Sequence, residues 1–148
     1  MIKDKQNALD EGTVPITVTG VSDAYYAGPA DSPRNLGVGV PLGAYLRCTT
    51  ALTGTTPTVD LTFVTASNAA LTADEEVLIT WPQFTALAVG AVLFQWIPSI
   101  ITAPQDYWGF KYTIGGTTPS FTAKMDIICL EQLDVLTAYA DGRNLFIP

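Results

Sequence analysis

The sequence predicts an all-β chain: an antiparallel jelly-roll-type β-sandwich of about eight strands, with an N-terminal arm and a C-terminal tail. Three observations lead there. Short stretches of alternating apolar and polar residues recur at spacings of a dozen or so residues, separated by turns of Gly, Pro, Asp and Thr. Thr is the most frequent residue, which suits strands with one solvated face. The connections vary in length instead of repeating as uniform hairpins, which favours a jelly roll over an up-and-down barrel. A chain of 148 residues fits one domain and buries a core without disulfides or metal.

Residues 1–12 are charged and polar and show no strand alternation, so they read as an arm that is ordered only when something docks it. No apolar h-region or small-residue cleavage site follows them, so they do not read as a secretory signal. The sandwich is expected over 13–132 and the tail over 133–148. The run 13–19, TVPITVT, is β-branched, and its Pro15 removes a ladder donor, which places it at an edge or a strand start. Residues 20–39, with Tyr25 and Tyr26 embedded, read as a long loop of the kind that binds partners.

Alternation resumes at 40–50, with Leu42, Ala44, Leu46 and Cys48 on one face and Tyr45, Arg47 and Thr49 on the other. A Gly, Thr and Pro turn at 52–57 precedes a strand with Val59, Leu61, Phe63 and Thr65 on one face and Asp60, Thr62 and Val64 on the other. Residues 67–76 form a polar loop, with room for one helical turn. Residues 77–81 make a compact apolar strand stopped by Pro82, and 84–88 a short strand or turn. In 91–97, Val92, Phe94 and Trp96 share a face, while Pro98 and Pro104 bracket a loop or an interrupted edge strand. The stretch 107–130 reads as a hairpin. Trp108, Phe110, Tyr112 and Ile114 line one face of its first strand, and Phe121, Ala123, Met125, Ile127 and Cys129 repeat the pattern in its second. The apolar tail, with Leu133, Leu136, Tyr139 and Phe146, has to find cover on its own domain or on a neighbour.

Composition narrows the functions. The chain has no His, which removes the usual general base and excludes Ser-His-Asp and Cys-His nucleophile systems. No catalytic, metal-binding or cofactor-binding set is assigned, and the chain is not read as an enzyme. Asp74, Glu75 and Glu76 are the densest carboxylate cluster, but acids crowded in a polar loop read first as a solvated surface rather than as a glycosidase pair or a Ca²⁺ loop. Cys48 and Cys129 lack metal or redox spacing and read as buried core residues; they would bond only if their strands were adjacent with suitable geometry. With a net charge of −7 and scattered cations, the chain would be repelled by DNA, and no nucleic-acid partner is expected. No apolar run is long enough to span a bilayer as a helix, so no membrane partner is expected either. Trp81, Trp96 and Trp108 would make a carbohydrate-binding platform if exposed, although Trp96 and Trp108 fall in register with core positions.

The segments DKQNAL, LGVGVPLGAYLRCTTALTG, VDLTFVTASN and YWGFKYTIGGTTPSFTAKMDIICL, in that order over residues 4–130, resemble the small capsid cement, or decoration, proteins of tailed bacteriophages. The resemblance implies a jelly-roll homodimer, made in the host cytoplasm, that sits on the outer surface of the virion. There it bridges major capsid proteins and stabilises the shell against the pressure of packaged DNA. On that reading the jelly roll is a rigid spacer and its irregular parts touch the partner. The candidate contacts are Ile2 and Leu9 in the arm, Tyr25 and Tyr26 in the loop, and Leu136, Tyr139 and Phe146 in the tail, because apolar and aromatic side chains anchor interfaces. A carbohydrate- or receptor-binding virion module is the alternative.

Overall fold

Two long strands carry the architecture of the computed structural model, which describes residues 8–26, 42–97 and 106–129. They are β4 (Leu42–Ala66) and β7 (Tyr107–Cys129), antiparallel and paired along their whole lengths, from Leu42 opposite Cys129 to Ala66 opposite Tyr107. The remaining strands are β1 (Ala8–Glu11), β2 (Gly20–Val21), β3 (Tyr25–Tyr26), β5 (Glu76–Thr80) and β6 (Val92–Trp96). Among the described residues there is no helix, including in the loop 67–75, where one helical turn had room to form.

Each short strand lies beside one half of a long one. β1 pairs with the second half of β7, and β2 and β3 with its first half. Likewise β6 pairs with the first half of β4 and β5 with its second half. Between these contacts, Ile16 bridges Phe121, Phe84 bridges Val59, and the Leu52 amide donates to the Leu87 carbonyl at 2.9 Å. The chain thus makes four antiparallel runs, 8–26, 107–129, 42–66 and 76–97, laid side by side in that order and folded over at their middles. Folding gives two four-stranded layers: β1, late β7, early β4 and β6 in one, and β2 with β3, early β7, late β4 and β5 in the other. This is an eight-segment jelly-roll sandwich.

The core lies between the layers. Ala44, Leu46 and Cys48 with Phe121, Ala123, Met125 and Ile127 come from one layer, and Val59, Leu61 and Phe63 with Trp108 and Phe110 from the other; all join a single buried cluster. Phe63 and Phe110 meet edge-on at 5.1 Å, and Trp81 stacks on Phe110 at 5.8 Å. Each such ring contributes a gross burial of about 4–6 kcal/mol before entropy is counted.

The fold-over is where the structure departs from the sequence reading. The stretch read as a hairpin is not one over its described residues 107–129; its two apolar faces belong to different layers and look at each other across the core. The turn expected at 52–57 and the turn of the expected hairpin are the opposed bends of one ribbon. Four residues there have left-handed backbones, Gly54 (φ 124), Thr56 (φ 47), Gly116 (φ 101) and Thr118 (φ 49), and the β4–β7 register slips repeatedly between Cys48 and Thr58. Bulges of this kind bend and twist a ribbon without ending its pairing.

Two further corrections concern the first run. Ala8–Glu11 pair with Asp126, Met125 and Lys124, so the sheet begins inside the stretch read as an arm. Tyr25 and Tyr26 pair with Trp108 and Tyr107, so the stretch read as a loop from residue 20 starts as a sheet edge. Pro15 does lie on an edge: Ile16 exchanges both main-chain hydrogen bonds with Phe121, and Pro15 beside it has no N–H to offer outward, which blunts the edge against strand addition.

The outer faces differ. Outside the second layer, Leu71 of the loop 67–75 is fully buried against Val64 and Ala66, at a φ of 55°. Asn68 holds that loop by accepting from the Thr72 and Ala73 amides. Outside the first layer, Tyr45, Phe94 and Ile128 form a separate buried group with Val92 and Trp96 against it. Val92, Phe94 and Trp96 do share a face, but it is this outer one, because Leu93 is the residue of β6 that turns toward the main core. Gly43 is required there: a Cβ on it would lie 2.1 Å from the Phe94 ring.

Candidate functional site

The fold gives the sandwich two unlike ends. At one, all four runs fold over. At the other they begin and stop, so residues 8, 26, 42, 66, 76, 97, 107 and 129 gather at a single open end. The two layers are tied near it by the Asp23 amide, which donates to the Leu9 carbonyl at 3.1 Å. Every connection toward the predicted contact segments therefore leaves from this end: the arm at Ala8, the Tyr25 and Tyr26 segment at Tyr26, and the tail at Cys129.

Of the predicted contact residues, Leu9 is 2% exposed and Tyr25 7% exposed, and both belong to the main core. Neither is available to a partner, because strand pairing with β7 turns their side chains inward. Tyr26, next to Tyr25 and on the opposite face of the same strand, is 41% exposed and rests against Tyr107 with ring centroids 5.1 Å apart. Ile2, Leu136, Tyr139 and Phe146 lie outside the described residues.

Two carboxylates meet along the edge of the sandwich. Asp10 and Asp23 come together where β1 meets the segment before β3, and burial, reinforced by Asp23 and Glu11, pushes the Asp10 carboxyl up; the Gly12 amide, donating to Asp10 Oδ1 at 2.8 Å, opposes this. The same two aspartates raise the Tyr112 phenol further after burial has raised it, while its hydroxyl donates to the Val21 carbonyl at 3.0 Å. On the outer face of the first layer, burial raises the Tyr45 phenol, with Arg47 opposing and Asp126 adding.

The cluster Asp74, Glu75 and Glu76 is spread over separate tasks. Ser67 Oγ donates to Asp74 Oδ2 at 2.9 Å, and Glu75 is ion-paired with Lys111 of β7. The first contact closes the loop 67–75 on itself, and the second fastens it to the second layer. Among the described residues no group of three His, Cys, Asp or Glu could hold a metal ion, and no helix is long and apolar enough to cross a membrane. Trp81 and Trp108 are buried with indole N–H groups that have no hydrogen-bond partner, and Trp96 is half-buried against Phe94 at 4.7 Å, edge to face. The three do not form an exposed aromatic platform.

Cys48 is buried, its thiol pushed up by burial and donating to the Thr50 carbonyl at 3.0 Å. Its strand is adjacent to that of Cys129, but Cys48 stands opposite Ala123 while Cys129 stands opposite Leu42. Six register positions is about 20 Å, several times the reach of a disulfide.

The feature that residue-by-residue reading missed is the shared end. Each contact segment is visible in the sequence, but their common origin depends on long-range pairing. Comparison with models of known protein families and with curated proteins found no match.

Proposed function

We propose that this chain is a structural virion protein that decorates the outside of a bacteriophage head, bridges its major capsid proteins and stabilises the shell against internal DNA pressure. The observation that carries the proposal is the open end: a sandwich braced through its core gathers the attachment points of the arm, the Tyr26 segment and the tail on one side. Such a body holds several short contact segments over one partner surface. Modest contacts suffice when many copies repeat them on a symmetric shell, because each copy ties together subunits already held close.

The acidic character fits the outside of the head, where no DNA is touched. The proposed partners are the major capsid protein and a second copy of the chain, with no nucleic acid, membrane or cofactor. The test compares shells carrying the protein with shells stripped of it under thermal and osmotic challenge. The proposal expects the stripped shells to rupture at lower temperature and milder osmotic shock, and the added protein to restore them; equal resistance rejects it.

A further inference from the structure

The outward face of the first layer is buried where a two-layer sandwich would leave it open to water. Its two rows nearest the open end are Trp96, Gly43 and Ile128, then Phe94, Tyr45 and Asp126. There Phe94 is 0% exposed, Ile128 1%, Asp126 1% and Tyr45 5%. In the next row toward the fold-over, Arg47 is exposed and Lys124 half-buried, so the burial stops after two rows. Among the described residues only Val92 and Trp96 pack against the buried apolar group, and both are neighbours on β6 within the same face. Side chains standing on one sheet do not enclose a tyrosine, a phenylalanine and a carboxylate from above, so the cover comes from another part of the chain.

We propose that the chain beyond Cys129 turns back over this face, with the stretch 130–139 docked on Tyr45, Phe94 and Ile128. Three features select that segment. It is tethered at one end only, in the layer concerned, one residue after Ile128; the stretches 27–41 and 98–105 are each held at both ends, between one layer and the other. It is apolar enough, with Leu130, Leu133, Val135, Leu136 and Tyr139, whereas residues 1–7 offer Met1 and Ile2. Its charges also suit the rim. Glu131, Asp134 and Asp141 lie among those apolar residues, and Arg47 and Lys124 are the two described cations on the first layer, the third being Lys111, paired with Glu75 on the second. Reach is ample: residues 130–148 extend up to about 60 Å, against about 15–20 Å across four strands. Leu136 and Tyr139 then belong to the sandwich, and of the three tail residues expected at a partner only Phe146 is left for one. The inference does not rest on the virion reading.

Urea unfolding of the full chain tests this, with binding of a dye for apolar surface as a second readout. The tail variant carries Leu133→Asp and Leu136→Asp; the comparison carries Leu36→Asp and Val38→Asp in the stretch 27–41. The tail variant should raise the unfolding constant at least about tenfold and bind more dye while still folded. In a Tyr45→Ala background the same two changes should raise it less than about threefold, because the contact they break is already lost. On the unsubstituted chain, zero-length carbodiimide coupling should join Lys124 to a carboxylate of 131–141 within the monomer, a result that needs no variant to fold. A tail variant as stable as the parent, the same loss in both backgrounds, dye binding that follows the 27–41 variant instead, or no coupling of Lys124 to the tail overturns the proposal.

Discussion

Gly54 and Gly116 stand on opposite strands of the folded ribbon, each pressed against the other strand's main chain. A Cβ on Gly116 would lie 2.6 Å from the Thr56 carbonyl oxygen and 2.9 Å from the Thr55 oxygen and the Pro57 Cα, while one on Gly54 would lie 3.0 Å from the Thr117 oxygen and the Pro119 Cα. Both have left-handed backbones. The bend therefore depends on two absent side chains, and no flexible neighbour can move aside to admit one.

Gly116→Ala is expected to cost about 3 kcal/mol, combining left-handed strain with main-chain collision, read as a lowered urea midpoint. Gly20→Ala is the contrast. Its Cβ would make an ordinary contact with Tyr112 at 3.4 Å, and loss of unfolded-chain freedom should leave stability unchanged or raise it by up to about 1 kcal/mol.

Val14→Ala, at an exposed valine later in the same run, should leave the melting temperature nearly unchanged. Leu9→Ala should cost about 2–4 kcal/mol through the cavity left in the core. If both changes are equally mild, β1 is not the integral strand described here.

Asp10 makes stability depend on pH. Its folded carboxyl binds a proton more tightly than the unfolded chain does, so ionisation disfavours folding. Stability falls as pH rises from the ordinary value of 3.8 through the raised one, and the penalty is complete above it. Asp10→Asn keeps an acceptor for the Gly12 amide and removes the penalty. Its melting temperature should exceed the parent's at neutral pH and match it near pH 3; a variant no more stable at neutral pH contradicts the assignment.

The sequence made the strand faces legible and their partnerships illegible. Trp108, Phe110, Phe121 and Met125 point inward as their alternation requires, since period two depends only on the local backbone. Whether 107–114 pairs with 121–129 or with 59–66 is decided by left-handed residues and a distant glycine, which alternation does not register. Leu9 and Tyr25 were misplaced for a related reason: pairing with β7 buried two residues whose polar surroundings suggested an arm and a loop. Phe94 was correctly grouped with Val92 and Trp96, but on a face that Gly43 opens from another strand. The gathering of the contact segments at one end is likewise a property of topology, legible only once the four runs are laid side by side.

The open end is proposed to face a shell. Cryo-electron microscopy of empty heads mixed with the purified protein tests it most directly. Regular outer density that fits the sandwich is expected, with residues 8, 26 and 129 turned toward the capsid and the fold-over turned away from it. Bare shells, or copies seated by the fold-over, would contradict it.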